Sequence, residues 1–461
     1  MYRTFLSWRY LRARRANWIG IVGICVGVGA MILILSIMAG FLDENRKMIR
    51  GSLSDLVLQP VVGILRPDGR EVPKDPDALL AAVRADPRVE SACAQLAYYA
   101  ILSQDGREST LTARRLSDPQ YNDLSGARLF GIDEKDELAT TELRAALARE
   151  PLVGYSRVAD PDHPFAPPPG YAPEGRTLAS VVVGEQLAEA WDLSRGSEIN
   201  LGTLSKNPET GEYDTVNRRF VVAGTFRSSD NELDGQRIYL DRAELCDWIA
   251  PPARYSQVLV KLKDYARDGP AVREDLLAKL DAGGLILGST KYGPSHEVKT
   301  WEEFRKTLLG AIENERVLMA IMLSLVVVVA GFTVFAILSM MITEKRRDIG
   351  ILSALGATSQ GVAVLFLMIA FWDWLLGASA GAILGTWGAL KIDSIERWLS
   401  QTFHVQIFNR RVYLFDHIPA VVDPFGVGLI VLGAFVCVLL FAALPAYKAG
   451  RLHPLDALRY E

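Results

Sequence analysis

Residue types that carry chemistry are scarce in this chain. It has four cysteines and five histidines in 461 residues. No Cys-x-x-Cys pair occurs, and His163, His296, His404, His417 and His453 stand at no ligand spacing, so no metal site is expected. The Gly-x-x-x-x-Gly-Lys-Ser/Thr loop that cradles nucleotide phosphates is missing, which leaves the chain without a P-loop of its own. His-Glu-x-x-His is missing too, and no nucleophile elbow can be placed on a strand–turn–helix. No stripe of basic and aromatic residues suggests a nucleic-acid surface, and no internal repeat is evident. No catalytic residue is assigned, and nothing supports an enzyme. Cys25 and Cys437 fall in apolar runs and suit packing. Cys93 and Cys246 fall outside them, where a disulfide is open but not demanded by the spacing.

Long apolar runs are what the chain has. Half of its residues are hydrophobic. Four runs, roughly 18–42, 317–342, 361–390 and 425–447, reach the ~20 residues that cross a bilayer. The first, Trp18 to Leu42, exceeds the ~7–15 apolar residues of a cleaved signal peptide and reads as an uncleaved anchor. Charge then orients the spans. Residues 1–17 carry Arg3, Arg9, Arg12, Arg14 and Arg15 and no acid, whereas residues 43–316 carry 35 basic and 45 acidic side chains. Basic segments stay in the cytoplasm. The N-terminus 1–17, the loop 343–360 with Lys345, Arg346 and Arg347, and the tail 448–461 are therefore expected inside. The region 43–316 and the loop 391–424 are expected outside. The fold class is an α-helical membrane bundle of four transmembrane helices, with a large mixed α/β periplasmic domain inserted between spans 1 and 2.

Within 43–316, strand character is read at Leu53 to Val62, Ser180 to Val183, Arg219 to Phe226, Arg237 to Leu240 and Gln257 to Leu262. Asp75 to Asp86, Glu142 to Arg149, Glu185 to Asp192 and Ala271 to Leu280 read as helices. The proline-rich stretch 160–175 reads as a loop or flexible linker, and 204–216 as a projecting hairpin or loop. Lys299 to Arg316 reads as a helix running straight into span 2. In the loop 391–424, IERWLSQTF is amphipathic and suits the outer membrane face.

Three features of the membrane part suggest function. TEKRRDIGILSALGAT, Thr343 to Thr358, is a short amphipathic helix between two spans, with Ile349, Leu352 and Leu355 at helical spacing for a groove on a soluble partner. Gly23 and Gly27 form a Gly-x-x-x-Gly pair in span 1, and Gly377, Gly381 and Gly385 repeat at the same spacing in span 3. They suit packing within the bundle, or a dimer interface or gate. Asp373, ~12 residues into span 3, lies ~18 Å deep at ~1.5 Å per residue. A charge there costs roughly 2.5–3.5 kcal/mol, so it should face protein or a cavity, or be protonated.

The segment 343–358 resembles the cytoplasmic loop of four-span ABC permeases of the MacB/FtsX-like superfamily, through Glu344 to Arg346, Asp348 to Leu352 and Ala354 to Ala357. The tail PAYKAGRLHPLDALRYE, 445–461, and the opening WRYLRARRANWIGIVGICVGVGAMILILSIMAGF are similar to that family's two ends. Three further segments are similar to its lipoprotein-releasing (Lol-type) branch: VVVGEQLAEAWDLSRGSEINL, 181–201; GTFRSSDNELDGQRIYL, 224–240; and VYLFDHIPAVVDP, 412–424. The resemblance covers nearly the whole chain. It implies a coupling helix in which Glu344, Lys345, Arg346, Arg347, Asp348, Ile349, Ile351, Leu352 and Leu355 meet a separate cytoplasmic ATPase, present in two copies and holding the ATP and Mg; no cofactor is expected on this chain. It also implies a second permease subunit, identical or different, and a lipoprotein cargo. By position, 204–216 with Asn207, Pro208 and Tyr213 would be a loop gripping a periplasmic lipoprotein carrier. It lacks the Phe/Pro/Met-rich character of such a hook, which leaves a partner-type subunit or a homodimer open. Relatives that export amphiphiles or peptides, or that act as mechanotransmitters controlling an envelope hydrolase without carrying cargo, share the architecture.

Overall fold

The computed structural model of the chain describes residues 5–7, 9–10, 15–66, 68–103, 124–151, 154–171, 178–206, 212–228, 231–287, 289–290, 293–294, 297–403 and 418–452. It divides into two units, residues 1–45 with 307–461, and residues 46–306.

The first unit is built on four helices long and apolar enough to cross a membrane. They are Arg15–Leu53, Lys306–Glu344, Ser359–Leu390 and Pro424–Gly450. The first and second run well past the apolar segments read from sequence, because polar residues at their ends keep helical propensity. One apolar core joins the four, from Ile24, Val28 and Ile32 through Val334 and Leu338 to Phe366, Ile369, Val438 and Ala442. Lys299 to Arg316 is not one helix. Val298–Thr300 is a strand. Thr300 then caps a one-turn helix, Trp301–Phe304, in a reciprocal capping box with Glu303. Arg305, at φ −106° and ψ 21°, interrupts it before Lys306. The amphipathic segment is a helix, Ile392–Phe403, that exposes Trp398 and Phe403 and buries Glu396.

The second unit is mixed α/β. Its strands are β1 (Leu56–Leu58), β2 (Val89–Ser103), β3 (Leu124–Ile132), β4 (Ala179–Gly184), β5 (Glu198–Lys206), β6 (Tyr213–Phe226), β7 (Arg237–Asp241), β8 (Gln257–Leu262), β9 (Ser289–Thr290), β10 (Gly293–Pro294) and β11 (Val298–Thr300). Nine of them form one sheet in the order β11-β1-β8-β2-β3-β7-β4-β6-β5, and β2 pairs also with β5 at Ile101↔Gly202. That last pairing closes β2-β3-β7-β4-β6-β5 into a ring, which removes two exposed edges. Side chains alternate: Val181 and Val183 join Phe220, Val222 and Leu240 on one side, while Val182 joins Phe130, Phe226 and Tyr239 on the other.

Several expectations need correction. Only Leu56–Leu58 of 53–62 is strand, since Leu53 ends the first membrane helix. The long strands β2, β3 and β5 were not legible. β2 reads VESACAQLAYYAILS, rich in alanine, and is held extended by partners on both sides. The proline-rich stretch is no free linker over its described part: His163 Nδ1 lies 3.2 Å from Glu134, Arg144 pairs with Asp162, the Tyr171 hydroxyl donates to Glu198, and Phe165 packs beside Phe130. Residues 172–175 lie outside the described residues. All four cysteines are free. Cys93 is buried and its Sγ donates to Glu137 Oε2 at 3.2 Å, an acid raised above the usual carboxylate range by burial.

Candidate functional site

The turn helix between the second and third membrane helices spans Arg346–Ala354. Gly356, at φ +94°, ends it. The Gly356 amide donates to Ser353 O and the Ala357 amide to Leu352 O, the paired bonds of a Schellman cap that only a residue tolerant of positive φ can close. Thr358 then caps the third membrane helix, its hydroxyl accepting from Gly361 N at 3.1 Å. A short helix with a glycine stop and a threonine start is therefore written locally.

Its faces are not those expected. Ile349 is 2% exposed and belongs to the membrane core, so it does not face a partner. Ile351 is 44% and Leu355 81% exposed. Arg347, also exposed, lies one turn before Ile351, and the three form a stripe at four-residue steps; the exposed Glu344, last residue of the second membrane helix, stands just before it across the break at Lys345. Ala354 extends it. Leu352 and Arg346 are half-buried. Lys345 and Asp348 pair with each other at 2.9 Å. Tyr10, absent from the sequence reading, sits against them: Lys345 Nζ lies 5.7 Å from its ring centre. Burial, then the Asp348 carboxylate beside it, pushes its hydroxyl above the ordinary value. An aromatic in a basic N-terminal segment was the available signal.

The glycines of the third membrane helix contact the first. A Cβ on Gly377 would stand 2.8 Å from Ile21 O, on Gly381 2.6 Å from Cys25 O, and on Gly385 2.7 Å from Gly29 O. The two helices thus run parallel, backbone against backbone. Gly29 is the glycine of the first helix that meets Gly381 and Gly385, whereas Gly23 and Gly27 face Ala330 and Val327 of the second helix at ordinary contact distances of 3.6–3.9 Å. Asp373, one turn before Gly377, is 1% exposed with its Oδ1 unpaired. The same register carried back one turn sets it level with Asn17, which is also buried.

The hairpin of β5 and β6 pairs up to Lys206↔Tyr213. Asn207 and Pro208 lie outside the described residues, as do the tail from 453 and residues 412–417. The two segments 181–201 and 224–240 meet. β4 pairs parallel with β6 and antiparallel with β7. Gly184 lies so close to the Asp234 carbonyl that a Cβ would stand 2.1 Å from it, and both Asp234 carboxylate oxygens accept from Ser228 N.

Four apolar helices around one core, with an α/β domain inserted after the first and a capped turn helix after the second, define a multi-pass membrane protein of permease build. The chain belongs to the MacB/FtsX-like permease family: the MacB-like periplasmic core domain matches residues 18–278 and the FtsX-like permease C-terminal matches residues 320–454. It is similar to the lipoprotein-releasing system transmembrane protein LolC of Neisseria meningitidis, 23% identical with 99% of each chain covered. It is also similar to that of Xylella fastidiosa (strain 9a5c), 25% identical over 98% of this chain and 97% of the other. The solved periplasmic region of MacB from Actinobacillus actinomycetemcomitans aligns with a TM-score of 0.32 at 14% identity, covering 56% of this chain and 95% of that one.

Proposed function

We propose that this chain is the permease subunit of an ABC transporter that extracts lipoproteins from the outer leaflet of the inner membrane for transfer towards the outer membrane. Similarity to lipoprotein-releasing relatives along nearly the whole chain carries the reading. Two copies of a separate ATPase, holding ATP and Mg, dock on the Arg347–Ile351–Leu355 stripe with Glu344 beside it. This chain itself is not catalytic. It pairs with a second permease subunit, and a periplasmic carrier receives the cargo. The basic segments 1–17 and 343–360 and the acidic 43–316 support cytoplasmic termini and a periplasmic domain.

The task needs power and an apolar path. Each acyl methylene exposed to water costs about 0.8 kcal/mol, so chains must move between apolar surfaces. Closure of the two ATPases draws the turn helices together. The first helix, locked to the third through Gly377, Gly381 and Gly385, moves with them.

Depletion of the protein, followed by separation of inner and outer membranes, tests this reading. Mature lipoproteins should accumulate in the inner membrane. Normal sorting with a loss of drug tolerance would instead favour export of amphiphiles, and normal sorting with a division defect would favour control of an envelope hydrolase.

A further inference from the structure

A cavity of about 480 Å³ opens within the membrane unit between the first, second and fourth membrane helices. Its walls are apolar: Met31 and Leu35, Val327, Ile430, Gly433 and Cys437. The chain's own side chains do not fill it, since a Cβ on Gly433 would meet nothing within 4 Å. Two charged residues, Arg316 and Asp423, line it at one end. Asp423 is held by the start of the fourth helix, accepting from Phe425 N and Gly426 N at 3.0 Å each. Arg316, half-exposed, pairs with the exposed Glu313 at 3.6 Å. Such a pair contributes little in solvent and exchanges readily for a better anion. From residue 423 to residue 437 the fourth helix rises about 21 Å, which matches half of a bilayer ~40–45 Å thick with its headgroup regions. The cavity thus has one leaflet's depth, apolar walls and a weakly paired guanidinium near its mouth.

We propose that this cavity seats one acyl chain of a membrane glycerophospholipid, with the lipid phosphate on Arg316. A guanidinium recognises phosphate oxygens by paired hydrogen bonds. The thioether-linked glyceride anchor of a lipoprotein carries no phosphate, so the rim charge selects a bulk phospholipid. The inference rests on the membrane helices alone and is independent of the cargo.

Photolabelling of the full-length protein in phospholipid nanodiscs tests it. One probe is phosphatidylethanolamine with a diazirine at its chain end; the other is the matching diacylglycerol. The phospholipid probe should label residues 31–39 and 427–437. Gly433→Leu and, from the opposite wall, Ser324→Leu should each lower that labelling about tenfold while eluting as folded protein. Arg316→Gln should lower labelling by the phospholipid but not by diacylglycerol. Labelling spread evenly over the exposed face of the second helix at Met322, Leu325 and Val329, indifferent to both filling variants, would overturn the site. Equal labelling of the cavity by diacylglycerol in the unmodified protein would overturn the phospholipid assignment.

Discussion

Ile349 and Ile351 stand two residues apart on one short helix and face opposite ways, the first sealed in the membrane core and the second exposed. Apolar spacing alone does not separate them, because a nine-residue helix between two spans has an inner as well as an outer apolar face.

Ile351→Glu with Leu355→Glu should therefore abolish co-purification with the ATPase while the permease stays folded, a loss of at least about tenfold in affinity. Ile349→Glu buries a carboxylate in the core and should lower the yield of folded protein instead. Retained ATPase binding by the double variant would reject the docking stripe.

Gly381→Leu should destabilise the membrane unit by about 3 kcal/mol or more, since its Cβ would overlap Cys25 O and overpacking alone costs about 1–3 kcal/mol. Gly27→Ala, with room beside Val327, should change stability by less than about 1 kcal/mol. Thermal unfolding in detergent compares the two, and equal behaviour would contradict the backbone contact.

Asp373→Asn preserves shape and relieves the roughly 2.5–3.5 kcal/mol burden of a charge deep in a membrane helix. Expression and thermal stability should match or exceed the parent, with most transport retained. A well-folded but inactive variant would give the carboxylate a functional role.

Asp86 is buried, with Arg88 Nε and Nη2 donating to its two oxygens at 3.0 and 2.9 Å and Lys279 Nζ donating at 3.1 Å. The Arg88 hydrogen bonds hold its carboxyl well below the usual carboxylate range. A carboxyl lowered by folding contributes stability that is complete above its unfolded value, near pH 4, and is lost as pH falls towards the folded value. Asp86→Asn should cost the α/β domain about 2 kcal/mol at neutral pH. It should also flatten the decline of stability below about pH 4. Hydrogen exchange of β2 reads both, and an unchanged acid slope would reject the assignment.

Much of the helical part was legible because its signals are local. Apolar length marks a span, and Gly356 and Thr358 mark a stop and a start within three residues. Gln257–Leu262 was legible as a strand because Val258, Leu259 and Val260 form a short apolar run with two β-branched valines, bounded by polar residues. β2 was not, because its fifteen residues include four alanines and owe their extension to β3, β5 and β8. The break at Arg305 was hidden for a similar reason: Val298–Thr300 is drawn into the sheet by β1, over residues that read as helix.

By itself the sequence determined that four apolar helices form, where basic and acidic segments fall, and that a capped turn helix separates two of the spans. These follow from hydrophobic length, charge and capping chemistry within a few residues. Only the tertiary structure decided which glycines touch, that Ile349 turns inward, that β2 to β7 close into a ring, and that a leaflet-deep cavity remains between three helices. Each depends on contacts between residues far apart in the chain, where packing geometry rather than local preference selects the partner.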